Sequence, residues 1–361
     1  ENSVMKILYV ETKMDGHHRN YIEFLAKIWK TDEVYAVLPV NEKIGFMKKD
    51  HIFNIDFKNM DIKKYIHWMI ELKKVIKNID PDIVHFVYGD DLYRYCALGM
   101  KMVCREAKIV FTCHQIRRSK LRDFSFRCIG KQSDAIVVHT TKLERDLKDI
   151  DLTNIFHIEY PQFRQGVLIN QENALKKLGI NNQGKKKVLL SLGGTREDKG
   201  LDILLEALKQ VDVPFYFIIA GKEEKFDQKF IMKEIETYKE NVFLLLKFLS
   251  DEELELCLNA ADIIVLPYRK KFDGASGPLG EGVWYYKQII GADHKSLGCI
   301  IRENHLGETF EAENVESLTE KLKTTLLSEW KPDEIYRNYR STLNPGIFQK
   351  CYQELYKLLM K

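Results

Sequence analysis

The chain has 361 residues, of which 45% are apolar and 30% are charged, and its formal net charge is +3. These proportions are typical of a globular protein, and a chain of this length favours two domains over one. The sequence has neither an apolar run long enough to span a bilayer nor a leader with a cleavage site. We therefore expect a cytoplasmic protein, and we expect no nucleic-acid partner.

The seven cysteines are scattered along the chain, and no two of them are spaced as C-x-x-C. An odd number of cysteines without a repeated spacing indicates neither a disulfide framework nor a zinc site. We expect reduced thiols. We also expect no essential metal, because the histidines and carboxylates show no ligand spacing.

The basic excess lies in the first part of the chain. Residues 1–160 contain 27 lysines and arginines against 23 acidic residues, whereas residues 161–361 contain 29 against 30. Most of the excess belongs to "RRSKLRDFSFR" (117–127), which has five basic residues and two phenylalanines. This segment is either the solvated face of a helix or a patch that contacts an anionic membrane surface or a charged acceptor.

Short runs of β-branched and aromatic residues alternate with longer amphipathic stretches, which is the pattern of parallel α/β domains. In the first half the stretches 17–30, 61–78 and 141–149 have helical character. The predicted strands there are 6–10, 34–38, 82–88, 108–113, 135–140 and 155–160.

A polar segment with several glycines, near 165–183, separates this series from a second one. The second series of predicted strands is 188–193, 214–221, 242–249, 262–268 and 298–302, and the residues from Val315 onward are predicted to be helical. Two series of similar size predict two Rossmann-like domains. Ligands of such sheets bind at the carboxyl ends of the strands.

The first candidate site follows the first strand of the second domain, in "LGGTREDKGLD" (192–202). Its glycines permit a tight turn, and Arg196 and Lys199 are three residues apart, which can bring two cations together at a helix start. Two cations beside a strand end suit a diphosphate. A turn with solvated charges would explain the same residues.

The second candidate site is "PYRKKFDGASGPLGEGVWYYKQII" (267–290), where glycines and Pro278 open a predicted helix. A glycine-rich turn at a helix N-terminus suits an anion, because free N–H groups and the helix dipole point out of that end. In a doubly wound sheet this turn should lie at the same edge as the first site. Asp273 and Glu281 flank the turn, and Glu281 could bind vicinal sugar hydroxyls.

The order and spacing of these segments resemble family 4 of the GT-B glycosyltransferases, retaining enzymes that transfer a sugar from a nucleotide donor. The resemblance covers nearly the whole chain through "MKILYVET", "PDIVHF", "VFTCHQIR", "SDAIVVHT", "FIIAGK" and "ADIIVLPY". It implies a GT-B fold, an α/β architecture with two Rossmann-like domains facing each other across a cleft. The implied parts are an acceptor-binding domain (5–165), a nucleotide-sugar-binding domain (184–345) and a C-terminal helix (346–361) that packs back on the first domain.

The resemblance also implies roles for single residues. Arg196 and Lys199 correspond to the pair on the donor diphosphate, Asp273 and Glu281 to the family's two acids, and His114 to a histidine that faces the transferred sugar. Glu281 would hold the nucleotide ribose. His114, Arg196, Lys199 and Asp273 are thus the catalytic candidates. The other donor-site candidates are Gly16 in the first loop near the acceptor, Gly194, Gly221, Phe248, Leu249, Ser276, Gly277, Pro278 and Leu279.

Two departures from the family pattern concern the second site. The first acid is Asp273 where the family has glutamate, and Gly282 replaces the usual alanine before the bulky "VWYY". The implied reaction needs no cofactor besides the nucleotide-sugar co-substrate, and its acceptor is a glycan, a lipid-linked molecule or another hydroxyl compound. Two alternatives stay open, namely a sugar-nucleotide 2-epimerase and a non-catalytic partner subunit that binds a nucleotide sugar.

Overall fold

The computed structural model describes residues 4–14, 17–29, 33–114, 119–182, 184–272 and 276–361. The chain divides into two compact units, one formed by the residues up to Tyr160 together with Pro345–Lys361, and the other by Pro161–Asn344. Each unit contains one sheet in which every recorded strand pairing is parallel. The predicted pair of Rossmann-like units is confirmed.

The first unit has a seven-stranded sheet with the order β3-β2-β1-β4-β5-β6-β7, and the second has a six-stranded sheet with the order β10-β9-β8-β11-β12-β13. The strands are β1 (Lys6–Val10), β2 (Glu33–Leu38), β3 (Ile52–Asn54), β4 (Ile83–Phe86), β5 (Lys108–Cys113), β6 (Ala135–Val138), β7 (Ile155–His157), β8 (Lys187–Leu192), β9 (Phe215–Ala220), β10 (Val242–Leu245), β11 (Ile263–Leu266), β12 (Gln288–Ala292) and β13 (Gly307–Phe310).

The helices that connect these strands begin at polar caps. Ser119, Thr140 and Ser250 each accept a backbone N–H of the first turn, and Ser250 forms a reciprocal capping box with Glu253. The helices are α1 (His17–Ala26), α2 (Ile62–Ile79), α3 (Met100–Cys104), α4 (Lys120–Gln132), α5 (Thr141–Lys148), α6 (Gln171–Lys177), α7 (Leu201–Lys209), α8 (Gln228–Glu234), α9 (Asp251–Ala260), α10 (Gly277–Trp284), α11 (Lys295–Glu303), α12 (Val315–Leu327), α13 (Glu334–Thr342) and α14 (Pro345–Leu359).

Within the described ranges, no helix is both long enough and apolar enough to cross a bilayer.

The predicted strand at 298–302 is wrong, because these residues belong to helix α11. Leu297, Ile300 and Ile301 are buried at the spacing of one helical face, and that spacing outweighs the short apolar run. The strands of this region are β12 and β13, which the sequence reasoning missed together with the short β3.

The polar segment 165–183, which the sequence predicts to be the domain boundary, lies in the second unit. Its helix α6 packs against α9. The buried Asn259 side chain on α9 accepts the Ile169 N–H at 2.9 Å and donates to the Val167 carbonyl at 3.0 Å. Although its composition is polar, this segment is held on the second unit by the buried Asn259 side chain.

The C-terminal helix α14 belongs to the first unit, where a buried hydrogen-bond network joins it to the sheet. The Tyr352 hydroxyl lies 2.6 Å from the Tyr21 hydroxyl and 3.1 Å from Thr112 Oγ1. His85 lies between Thr112 Oγ1 at 2.7 Å and the Tyr356 hydroxyl at 2.5 Å. Complete burial lowers the pKa of His85 to about 3, so the imidazole is neutral and can both donate and accept.

Replacing Tyr352 by Phe should destabilise the first unit by about 1 to 2 kcal/mol, because Tyr21 and Thr112 each lose a buried partner. Guanidinium chloride unfolding measures the change. The matched control is Tyr286→Phe, which removes a hydroxyl from a partly exposed ring and should change the unfolding free energy by less than about 0.5 kcal/mol. Equal effects of the two substitutions would contradict a stabilising role for the network.

Candidate functional site

The turns after four neighbouring strands of the second sheet surround one cavity. In the order β10-β9-β8-β11, the chain runs outward from β8 through β9 to β10 and then returns to the other side of β8. Such a reversal opens a crevice at the carboxyl ends of the strands. A cavity of about 370 Å³ lies there, lined by Arg164, Leu192, Gly193, Gly194, Lys199, Gly221, Lys222, Glu224, Lys247, Phe248, Leu249, Leu254, Gly277, Pro278 and Glu281.

Two glycines bring the turns after β8 and β9 into close contact. Gly193 has a φ of +104° and donates its N–H to the Ala220 carbonyl at 2.8 Å. Gly221 has a φ of +145°, and a Cβ atom there would overlap the Gly193 backbone. Only glycine combines this backbone conformation with this approach. The sequence prediction that glycines shape this edge agrees with the geometry.

Thr195 fixes the two turns to each other. Its hydroxyl donates to the Phe226 carbonyl at 2.7 Å and accepts the Glu224 N–H at 2.8 Å, while its own N–H donates to the Lys222 carbonyl at 3.0 Å. Thr195 is 3% exposed, and its hydroxyl bond to the Phe226 carbonyl is buried. The cavity wall therefore depends on one buried threonine.

Lys199 extends its amine into the cavity from a single turn of 3-10 helix, Glu197–Lys199. Its Nζ lies 5.7 Å from the centroid of the buried Tyr268 ring, and a Cβ atom on Gly193 would overlap the amine. Among the described residues, no carboxylate comes within 4 Å of Nζ. Burial lowers the pKa of Lys199, and the positive charge of Arg196 lowers it further.

Arg196 does not line this cavity. Its guanidinium makes a bidentate pair with Asp198, at 2.9 and 2.8 Å, which raises the pKa of Arg196 above its usual value. Arg269 holds the same turn through the Asp198 and Glu197 carbonyls and an ion pair with Asp202. Of the predicted pair of cations, Lys199 lines the cavity, whereas Arg196 lies outside its lining and is paired with Asp198.

Helix α10 directs its N-terminus toward the same cavity. Its N-cap is Ser276, whose Oγ accepts the Leu279 N–H at 3.2 Å and lies 3.0 Å from the Tyr268 hydroxyl. Gly277 and Pro278 line the cavity, while the Leu279 side chain is buried in the core. The sequence leaves Gly277 or Ser276 as the cap and places Pro278 at the first helical position. In the structure Ser276 is the cap, and Pro278 is the second residue of the helix.

Glu281 lies one turn into α10 and lines the cavity. Burial raises the pKa of its carboxyl group, and the charges of Arg164 and Lys199 oppose that rise. A partly buried carboxylate and a partly buried amine that line the same cavity can bind hydroxyl and phosphate groups of one ligand. The predicted donor residues Gly194, Lys199, Gly221, Phe248, Leu249, Gly277, Pro278 and Glu281 thus share one cavity.

The second unit matches a known family. Residues 171–342 match the model of the family "Glycosyl transferases group 1". Residues 171–342, which make up most of the second unit, are a group 1 glycosyl transferase domain. Except for Arg164, every residue that lines the cavity lies within this group 1 domain.

Comparisons that cover most of the chain also find glycosyltransferases. An uncharacterized glycosyltransferase of Methanocaldococcus jannaschii is 26% identical over 308 residues, which are 82% of each chain. The structure of a glycosyltransferase from Rickettsia africae superposes with a TM-score of 0.76 at 19% identity, covering 99% of each chain. The Anabaena protein HepE in complex with UDP superposes with a TM-score of 0.74 at 14% identity, covering 98% of this chain and 100% of that one. The fold is the GT-B fold, as predicted.

Four charged residues of the cavity escaped the sequence reasoning, namely Arg164, Lys222, Glu224 and Lys247. A signal existed for Lys222, a cation directly after the strand and glycine of "FIIAGK". Arg164 gave no such signal, because it lies outside the group 1 domain in a segment that reads as a linker. Its Nε pairs with Asp251 at 3.4 Å.

His114 lies in the first unit, directly after β5. Its backbone N–H donates to the Asp90 carboxylate at 2.9 Å. Its Nε2 lies 3.0 Å from the Val87 carbonyl, and because a carbonyl can only accept, Nε2 carries a proton. The rings of Tyr21 and Tyr88 lie about 5 Å from the imidazole. Gly16 and Asp273, two other candidates, lie outside the described residues.

Among the described side chains, no three metal-ligating residues come together.

Replacing Thr195 by Val should destabilise the protein by about 1 to 3 kcal/mol, because the Phe226 carbonyl would remain buried without this donor and the Glu224 N–H would lose its acceptor. The two side chains have nearly the same volume. Thr324→Val, on the exposed side of α12, is the control and should change stability by less than about 0.5 kcal/mol. Chemical denaturation compares the two, and a wild-type midpoint for Thr195→Val would refute this role.

Proposed function

We propose that the protein is a retaining glycosyltransferase that takes a sugar from a nucleoside diphosphate sugar, with the donor held by the second unit. The observation that carries this proposal is the amine of Lys199, which lies in the cavity with no carboxylate of the described residues within 4 Å. An ammonium group that is partly removed from water, as this one is, is stabilised when an anion binds beside it. We infer that this anion is the donor diphosphate, and the match to the group 1 glycosyl transferases supports this inference.

The electrostatics of the cavity fit a leaving group that gains negative charge. Lys199 and Lys222 bring positive charge, and the N-terminus of α10 adds its dipole. Arg164 and Lys247 also line the cavity, but each is paired with a carboxylate, that of Asp251 and Glu253 respectively. Cleavage of the glycosidic bond leaves charge on the diphosphate, so preorganised positive groups lower the barrier. These groups could replace a divalent metal. We therefore propose a metal-independent reaction, which activity in the presence of EDTA would check.

The nucleoside half of the donor has its own candidates among the residues that line the cavity. Glu281 can accept hydrogen bonds from two ribose hydroxyls, and Phe248 and Leu249, after β10, can cover the base. Phe248 is 83% exposed, so its ring is available to a base. We infer that the base covers it.

We propose that the acceptor oxygen attacks the face from which the diphosphate leaves. The bond from the anomeric carbon to phosphate oxygen breaks, the bond to the acceptor oxygen forms, and the acceptor proton moves to the leaving phosphate. We place His114 toward the transferred sugar and leave Asp273 its predicted role as the first acid. HepE is described in complex with UDP and with UDP-glucose, so a UDP-sugar is the first donor class to test and a GDP-sugar the second.

A panel of nucleotide sugars, incubated with the protein and a glycan or lipid-linked acceptor, tests the function. Transfer or slow hydrolysis releases nucleotide, and proton NMR of the product reports retention at the anomeric carbon. A 2-epimerase would isomerise the donor, and a binding subunit would leave it unchanged. No release of nucleotide from any UDP- or GDP-sugar that binds would overturn the proposal.

Replacing Lys199 by Ala should weaken UDP binding by about 10- to 100-fold and leave uridine binding unchanged, because the amine contacts the phosphates only. At saturating donor, the turnover rate should fall by about a hundredfold, since the lost charge acts mainly in the transition state. Calorimetry and steady-state kinetics measure the two effects. Lys225→Ala, an exposed lysine outside the cavity, is the control. Full turnover by Lys199→Ala would exclude the diphosphate role.

Replacing Glu281 by Gln should weaken uridine and UDP equally, by about tenfold, because a ribose contact is the same in the ground and transition states. The raised pKa of Glu281 adds a pH dependence. As the pH falls through that pKa, the carboxylate protonates and one oxygen stops accepting. Wild-type uridine binding should therefore weaken at a higher pH than an ordinary glutamate would dictate, and the Gln variant should lack this step. An identical pH profile in both proteins would contradict the assignment.

A further inference from the structure

The outer face of the first unit carries a cluster of exposed apolar side chains that the proposed function does not use. Of thirteen large hydrophobic residues exposed in the described part of this unit, seven lie on α2, on α4, or on α3 and the turn before it. Their exposure ranges from 49% to 77%, and they are Ile62, Ile66, Ile70, Leu98, Met102, Leu121 and Phe124. A monomeric protein rarely leaves such a cluster in water without a partner.

These elements form one surface. The strand order moves in one direction from β3 through β4, β5 and β6, so right-handed crossovers place α2, α3 and α4 on the same face of the sheet. Helix α2 packs against α3, and the turn at Tyr93–Tyr95 packs against α4. Tyr65 of α2 donates to the Leu98 carbonyl at 3.1 Å. We call the outward side of these three helices the α2–α4 surface.

Basic residues surround the apolar ones on this surface. Helix α2 has five lysines and one glutamate, and α4 has four basic residues and one aspartate. At roughly 3.6 residues per turn, Ile62, Ile66 and Ile70 share one stripe of α2 with Lys73 and Lys77. On α4, Lys120 and Arg127 are exposed beside Leu121 and Phe124. Arg117 and Arg118 lie outside the described residues, and the surface is defined without them.

We propose that the α2–α4 surface docks the protein on an anionic lipid bilayer. Helices that lie in a membrane interface combine apolar side chains, which enter the acyl boundary, with lysines and arginines, which contact anionic headgroups. A symmetric dimer through this surface would set two basic patches against each other, which disfavours a second copy of the chain as the occupant. The bilayer supplies both the apolar layer and the negative charge.

The surface borders a cavity at the carboxyl edge of the first sheet. Tyr93, Arg94 and Tyr95 contribute to the lining of this cavity of about 540 Å³, and the Tyr95 ring stacks on Tyr65 of α2 at 4.4 Å. A molecule anchored in the bilayer could therefore present its head group beside the sheet edge. If the proposed function holds, on which this step rests, a lipid-linked acceptor is favoured over a free glycan.

Co-sedimentation of the full chain with vesicles tests the docking and requires no donor, so its failure is separate from failure of the proposed function. Wild type should bind vesicles of phosphatidylcholine with phosphatidylglycerol, bind pure phosphatidylcholine weakly, and detach as salt rises, because such attraction is screened over roughly 8–10 Å near physiological ionic strength. Neutralising Lys73 and Arg127 to Gln should weaken binding by about 25-fold, since each basic residue contributes about fivefold. Ile66→Ser with Leu121→Ser should also reduce it.

Matched control variants distinguish the effect of mutating the α2–α4 surface from the effects of changing overall charge or hydropathy. Lys229→Gln with Lys233→Gln changes the net charge equally on α8 of the second unit, and Leu327→Ser removes an apolar side chain that is 74% exposed against 77% for Leu121. These variants should bind vesicles as wild type does. Equal binding to both vesicle types, or equal losses in surface and control variants, would overturn the proposal. Wild-type protein that stays in the supernatant with every vesicle type would also overturn the proposal. In that case, a change in the sedimentation coefficient of the protein when the α2–α4 surface is mutated would show that a second copy of the chain occupies this surface.

Discussion

The partly buried ammonium group of Lys199, at the carboxyl edge of the second sheet, is the constraint on which the candidate site depends. Removing the amine of Lys199 from water is unfavourable, and within the described residues no carboxylate comes close enough to pair with it. The chain nevertheless makes room for it. Gly193 must lack a side chain where the amine lies, and Gly200, at a φ of +65°, turns the chain so tightly that a Cβ would meet the Pro267 carbonyl. The face of Tyr268 supplies a modest attraction. Gly193 and Gly200 thus make room for the Lys199 ammonium group, and we infer that the anion that pairs with it belongs to a bound ligand.

The first unit places its buried polar groups differently. His85, Thr112, Tyr352 and Tyr356 satisfy one another between the sheet and α14, and burial keeps His85 neutral, so this network presents no charge to a ligand. Its effect is to fix the C-terminal helix on one face of the sheet. The other face is covered by α2 to α5, and its outer side carries the charge. In the first unit, the buried polar side chains therefore stabilise the packing of α14 on the sheet. In the second unit, polar side chains at the edge of the sheet line the cavity instead.

Much of this arrangement could be predicted from the sequence, and the exceptions have physical reasons. Apolar runs such as "KILYV" and "KIVFTC" matched strands to the residue, because both faces of a central parallel strand are buried. The run at 298–302 failed because an amphipathic helix with Leu297, Ile300 and Ile301 on one side also contains adjacent apolar residues. The glycine turns and Lys199 were predictable from local spacing. Arg164 was not, because it reaches the cavity from a segment that is distant in sequence, and the bidentate pair of Arg196 with Asp198 depends on side-chain geometry that a spacing rule does not contain.

The distribution of charge along the chain carries a further lesson. The basic excess of residues 1–160 invites the inference that this part binds an anionic substrate, yet the structure places many of those residues on the outside of α2 and α4. The second unit has slightly more acidic than basic residues overall, and still holds the amine best placed for a diphosphate. Screening by water and salt makes exposed charges act collectively and over short range, while a single charge removed from water acts strongly on what lies next to it. The net charge of a region therefore indicates which large partners its surface can bind. The charge of a small substrate is indicated instead by a few residues within the binding cavity.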